Sequence, residues 1–275
     1  MEKVMRFLAL SFIITCIVFS CSGSENIDVP LVDLSERPRE IVYINLDRSP
    51  ERNKQMIDQL EMTKVKYTRL RGVDGKMQNM EDLVKLGLYD EKTYKESPLT
   101  PGEIGVYLTN IKYLEMLEQS NDNILMLLLE DDAIVPVDID QEMKTALSVV
   151  PKDWDLLYFG CYLDVFFDLD KGGLVQSPYA RNNRLKPMCP NVSNKVFPIV
   201  EGSPWFKIDW HCHSGAYAYM ANKNKVGSIL QQIKPIRTAI DNQYRLLYGE
   251  NNGLKAYCLK PNLIRTRYDI PSTIR

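Results

Sequence analysis

The sequence predicts an α/β layered fold in which helices flank a mixed, mostly parallel sheet. Strand-like and helix-like segments alternate from Ile41 to Glu130. The run Ile124-Leu125-Met126-Leu127-Leu128-Leu129 is apolar without alternation, as a strand covered on both faces must be. Helix starts carry their own chemical signatures at the intervening positions.

Taken in order, Ile41 to Leu46 reads as a buried first strand. Ser49-Pro50-Glu51-Arg52 then supplies an N-cap, a proline at the first helical position and an acidic first turn for a helix to about Leu60. Tyr67 to Leu70 suggests a second strand ending in Gly72-Val73-Asp74-Gly75, and Thr100 with Glu103 has the spacing of a capping box for a helix through about Leu117. The strand to Glu130 follows. A short helix is expected around Met143 to Val149, and Trp154 to Gly160 forms a further strand. From Asp164 to about Trp210 proline, asparagine, glycine and aromatic residues accumulate, as in a long functional loop region suited to recognising an acceptor. Regularity returns with a strand at Gly215 to Met220, helices at Lys223 to Ile233 and Asp241 to Tyr248, and a strand near Lys255 to Leu259.

The N-terminus stands apart. Glu2, Lys3 and Arg6 precede an apolar stretch from Phe7 to Phe19, about 13 residues where a spanning helix needs about 20. Residues 1–21 therefore read as a signal peptide or signal anchor that exports the chain or attaches it to a membrane, and Cys21 gives the segment some likeness to a bacterial lipobox. Residues 22–39, with Pro30 and Pro38, read as a linker, and 40–275 as one domain. Cys161, Cys189, Cys212 and Cys258 could form two disulfides in an exported domain. A formal charge of -2 gives no basic field for extensive nucleic-acid binding.

The chemistry concentrates where the apolar run ends in Glu130-Asp131-Asp132. Three adjacent carboxylates at the C-terminal end of a buried strand repel one another unless protons, basic side chains or a divalent ion neutralise them, and oxygen ligands suit Mg²⁺ or Mn²⁺. That edge is also where open α/β sheets bind ligands. His211 and His213 could meet one ion from a strand, but two lone histidines are more often hydrogen-bonding residues; Trp205 and Trp210 suit core packing better than stacking on a sugar.

These pieces, in this order, resemble glycosyltransferase family 25, which includes lipopolysaccharide-type and procollagen galactosyltransferases. The likeness is carried by Val42-Tyr-Ile-Asn-Leu-Asp-Arg-Ser49, Arg71-Gly-Val-Asp-Gly75, Leu99-Thr-Pro-Gly-Glu-Ile-Gly105, Leu129-Glu-Asp-Asp-Ala-Ile134, Gly215-Ala-Tyr-Ala-Tyr219, Ile240-Asp241 and the closing Pro261-Asn-Leu-Ile264 with Pro271-Ser272. One pair departs from it: Thr109-Asn110 stands where the family commonly has Ser-His, so no imidazole is present there to exchange a proton.

The resemblance implies a GT-A-like domain that moves a sugar, most often galactose, from a UDP-sugar to a hydroxyl of a glycan or glycoprotein, with inversion and a Mn²⁺ or Mg²⁺ ion. Glu130 and Asp132 would contact the metal, and Asp131 the metal or the donor ribose. Asn45, Arg48, Arg52 and Asp74 would line the nucleotide, although Arg52 and Asp74 also suit an ion pair and a turn. Asp241 is the first candidate for the general base and Asp209 the second, with a helix cap as the structural alternative for Asp241. The rival function is a non-catalytic exported sugar-binding protein or lipoprotein on a degenerate transferase fold.

Overall fold

A computed structural model describes residues 29–121, 123–161, 203–208, 215–248 and 253–267, and the backbone of 165–168, 173–176 and 185–187. The leader, residues 22–28 of the linker, Cys189, Asp209, Trp210, His211, Cys212, His213 and Pro271-Ser272 lie outside the described residues.

In chain order the elements are β1 (Leu31–Val32), β2 (Arg39–Asn45), α1 (Pro50–Leu60), β3 (Lys66–Arg71), α2 (Met80–Lys85), α3 (Glu91–Glu96), α4 (Pro101–Gln119) and β4 (Leu125–Glu130). There follow β5 (Ala133–Ile134), α5 (Ile139–Leu147), β6 (Val150–Pro151), β7 (Leu156–Gly160), β8 (Val165–Asp168), β9 (Gly173–Gln176) and β10 (Leu185–Pro187). The last elements are β11 (Trp205–Ile208), β12 (Ala218–Ala221), α6 (Val226–Ile233), α7 (Ile240–Leu247), β13 (Ala256–Leu259) and β14 (Arg265–Thr266). Seven strands form the central sheet in the order β11-β13-β7-β12-β4-β2-β3. Its β2–β3, β2–β4 and β13–β7 junctions are parallel, whereas β12 runs antiparallel to both β4 and β7, and β11 to β13.

The unbroken apolar run of β4 is explained by its neighbours. Met126 and Leu128 join a core with Ile104, Tyr107 and Leu114 of α4 and Val226 and Ile229 of α6. Leu125, Leu127 and Leu129 point the other way, into a core with Met56 and Leu60 of α1 and Met143 and Leu147 of α5. A polar residue at any of these positions would be buried against one helix layer or the other.

Local signals act as expected at two helix starts. Pro50 opens α1, although the Ser49 side chain makes no capping bond. The capping box of α4 is complete: Thr100 Oγ1 accepts from Glu103 N–H at 3.2 Å, and Glu103 Oε2 accepts from Thr100 N–H at 2.8 Å. The stretch expected as linker is partly folded, because Leu31–Val32 pair with Val150–Pro151 and Leu34 is buried, its N–H donating to Leu147 O. Tertiary burial of Leu34 outweighs the polar composition around it.

Two glycines fix how the β3–α4 connection meets α4. A Cβ on Gly75 would lie 1.6 Å from Pro101 O, and one on Gly105 would lie 2.5 Å from Val73 O. Only hydrogen at both positions lets the Gly72-Val73-Asp74-Gly75 turn rest on the first turns of α4.

Candidate active site at the acidic end of the central sheet

The parallel register of β2 and β4 places Ile44 opposite Glu130, so the next residues, Asn45 and Asp131, stand side by side where both strands end. Asn45 Nδ2 donates to Asp131 Oδ2 at 2.7 Å and to Ser49 O at 3.0 Å, while its Oδ1 accepts from Arg69 Nε at 3.1 Å. Arg52, in the first turn of α1, reaches back to Asp131 Oδ1 at 2.5 Å and Asp132 Oδ2 at 3.4 Å. The Arg52 and Asp131 side chains are each about one-tenth exposed. Both oxygens of Asp131 are thus engaged, and Asn45 and Arg52 act here as its supports.

Asp132 is divided. One oxygen meets Arg52, while Oδ1 is buried and has no hydrogen-bond partner among the described residues. Burial raises the carboxyl groups of Asp131 and Asp132 in spite of Arg52, which opposes the shift in both. Glu130 is affected more strongly. Burial first, and then the charges of Asp132, Asp131 and Asp241, push it up to about 8. The Asp241 contribution shows that the acid expected as general base lies within electrostatic reach of the acidic step. Asp241 sits in the first turn of α7, one residue inside the helix, and its Oδ1 accepts from Asn242 N–H at 2.7 Å. The N-cap position belongs to Ala239, so a capping role does not account for Asp241.

Arg48 and Asp74 pair with each other, Nε to Oδ2 at 2.8 Å, beyond the ends of β2 and β3. Asp74 also accepts from Lys76 N–H at 3.1 Å, which opens a 3-10 turn at Gly75–Met77. That bond, followed by the Arg48 contact, holds its carboxyl below the usual range. Asp74 therefore fills the turn role that its glycine-flanked position allowed, on the half-exposed rim of the same edge.

The Thr109-Asn110 pair is buried under this edge. Thr109 Oγ1 donates to Gly105 O at 2.7 Å and accepts from Val73 N–H at 2.8 Å. Asn110 Nδ2 donates to Val106 O, which leaves Oδ1 to accept from Tyr219 OH at 2.8 Å; the Tyr219 hydroxyl lies 3.1 Å from that of Tyr244 on α7. Burial pushes both tyrosine hydroxyls well up, so they remain hydrogen-bond donors. Position 110 is buried and links α4, β12 and, through Tyr219, the helix that carries Asp241, a role that an amide fills with one donated and one accepted bond. No sequence signal marked this network, since it joins residues over 100 positions apart.

Among the described residues no three of His, Cys, Asp and Glu gather into a set that could hold a metal ion by themselves. Asp132 Oδ1 and the Glu130 carboxyl are the oxygens left uncommitted at the edge. Such a pair fits a cation of the Mg²⁺ type, which takes one or two protein carboxylates and completes its shell with water and substrate phosphates. Cys161 and Cys258 are buried, and Cys189 and Cys212 lie outside the described residues.

A mixed seven-stranded α/β sheet with an acidic step where β4 ends has the architecture of a GT-A-like glycosyltransferase. The sequence comparisons make this specific. The family described as Glycosyltransferase family 25 (LPS biosynthesis protein) matches residues 39–244, and the chain belongs to it. Procollagen galactosyltransferase 1-B of Xenopus laevis is 27% identical over 128 residues, which is 44% of this chain and 21% of that protein. A glycosyltransferase 25 family member of Drosophila pseudoobscura pseudoobscura is 29% identical over 144 residues, 48% of this chain and 22% of its own length. Procollagen galactosyltransferase 2 of Homo sapiens is 27% identical over 129 residues, 44% and 20% respectively. The chain thus spans about a fifth of the length of the curated relatives it matches.

Proposed function

We propose that this chain is a divalent-metal-dependent glycosyltransferase that moves a sugar, galactose in the first instance, from a UDP-sugar to a hydroxyl of a glycan or protein-linked acceptor with inversion. The observation that carries it is the divided acidic step: Asp131 locked by Arg52 and Asn45, beside Glu130 and the unpartnered Asp132 Oδ1. Family membership and the printed galactosyltransferase names of relatives support the donor.

In this scheme Glu130 and Asp132 would hold Mn²⁺ or Mg²⁺, with Arg52 keeping Asp132 oriented. The ion, when bound, supplies stabilisation of the charge that builds on the departing diphosphate. Asp241 takes the proton of the acceptor hydroxyl as its oxygen bonds to the anomeric carbon and the bond from that carbon to the UDP oxygen breaks, a single displacement that inverts the centre. Asp209 is the alternative base. The N-terminal leader would place the domain on the exported side of a membrane or attach it there. No helix among the described residues is long and apolar enough to cross a membrane.

A screen of UDP-sugars for Mn²⁺-dependent hydrolysis tests activity and donor together. Replacing Glu130 and Asp132 jointly by Ala should abolish metal-dependent UDP binding in a folded protein; normal sugar transfer by that variant would place the site elsewhere. Neither turnover nor UDP binding by the unaltered chain would favour the non-catalytic sugar-binding alternative.

A further inference from the structure

After β13 the chain crosses the end of β7 and follows the acidic turn. Asn262 grips Cys161 on both sides, accepting from its N–H at 3.2 Å and donating to its carbonyl at 2.6 Å. β14 then pairs with β5, and the register carries Arg267 N–H to Asp132 O at 2.9 Å. The Arg267 side chain donates to Gln55 Oε1 at 2.8 Å, a neutral amide three residues beyond Arg52 on α1.

Four arginines of β3, α1 and the turn before α1 pair with carboxylates at this end of the sheet: Arg48 with Asp74, Arg52 with Asp131 and Asp132, and Arg69 and Arg71 with Asp47. Arg267 makes no ion pair among the described residues. It is also fastened by its backbone to the aspartate whose Oδ1 lacks a partner, and the neighbouring Thr266 Oγ1 is likewise buried and unpartnered. A guanidinium held only by a neutral amide, next to a buried hydroxyl without a partner, suits an anionic ligand.

We propose that Arg267 binds the diphosphate of the nucleotide-sugar donor, exchanging the Gln55 amide for a phosphate oxygen. This rests on the function proposed above. As the sugar-phosphate bond breaks, the departing UDP gains a third negative charge, one more than a divalent ion cancels, and Arg52 is already committed to two aspartates, so a further cation beside Asp132 would stabilise it. Arg267 lies outside the family-matched span of residues 39–244.

The test is calorimetric titration of the full chain in MnCl₂ with UDP and, separately, with uridine. Arg267→Met and Arg267→Gln should each weaken UDP by about tenfold to a hundredfold, as expected for loss of a charge-assisted hydrogen bond, and leave uridine unchanged. The backbone tie to Asp132 survives both substitutions, and Arg265→Met, on the same strap but exposed, should bind UDP as the unaltered chain does. UDP affinity within twofold of the unaltered chain in both Arg267 variants would overturn the assignment while leaving the transferase proposal standing. An equal loss for uridine would overturn it too, by showing a positional effect on the whole nucleotide. No UDP binding by the unaltered chain would overturn both.

Discussion

Replacing Glu130 by Gln should leave the metal-free protein no more stable at pH 5 and clearly more stable at pH 8. Glu130 is pushed up from 4.5 to about 8 by burial and by the charges of Asp132, Asp131 and Asp241. The folded state therefore keeps a proton that the unfolded chain releases above about pH 4.5. Stability consequently falls as pH rises through this window and levels off above about 8. Each unit of pH inside the window is worth at most about 1.4 kcal/mol, so the total by pH 8 is on the order of a few kcal/mol. For a chain of this size that corresponds to about 2–4 °C in Tm per kcal/mol. Thermal melts of both proteins in EDTA at pH 5, 6, 7 and 8 measure the difference directly. Curves that stay parallel across the series would refute the account, because they would place Glu130 in water and not against the apolar end of β4. If Glu130 holds the cation as proposed, the same linkage should make Mn²⁺ binding by the unaltered protein strengthen up to about tenfold per pH unit below pH 8, since the cation requires the ionised carboxylate.

Arg52→Met should destabilise the fold by about 3–5 kcal/mol in urea denaturation, since it leaves Asp131 buried and uncompensated; adding Asp131→Asn should recover part of that loss. No recovery would mean that Arg52 acts through packing alone. Asn110→Leu should cost about 1–3 kcal/mol by stranding the Tyr219 hydroxyl, and combining it with Tyr219→Phe should cost less than the sum of the two single changes. Strict additivity would show that the amide and the hydroxyl are not coupled.

The parts of this molecule that sequence reveals are those set within a few residues. The proline start of α1, the capping box of α4 and the two-faced burial of β4 are local, and each lies where its signal stands. The short helices α2 and α3 have six residues each, too few for a period to rise above the surrounding polar composition. The two-residue pairings β1–β6 and β5–β14 join segments more than 100 residues apart, which no window of sequence can display. The site divides in the same way. The acidic step is visible because its three residues are adjacent, whereas the support of Asp131 by Asn45 and Arg52 depends on the parallel register of strands that are distant in the chain. Asp241 occupies the same electrostatic neighbourhood only because α7 packs against α4 through a tyrosine hydroxyl chain assembled from three elements.

The folded chain continues past the family-matched span of residues 39–244 into the C-terminal strap. A version of this protein ended at residue 244, the last position of the family match, would lose β13 from between β7 and β11. It would also lose the Asn262 clasp on Cys161 and the Arg267 clasp on Asp132. β7 would be left as an exposed strand edge and β11 without its partner strand, so trimming to the matched span should yield aggregates where the longer chain stays dispersed.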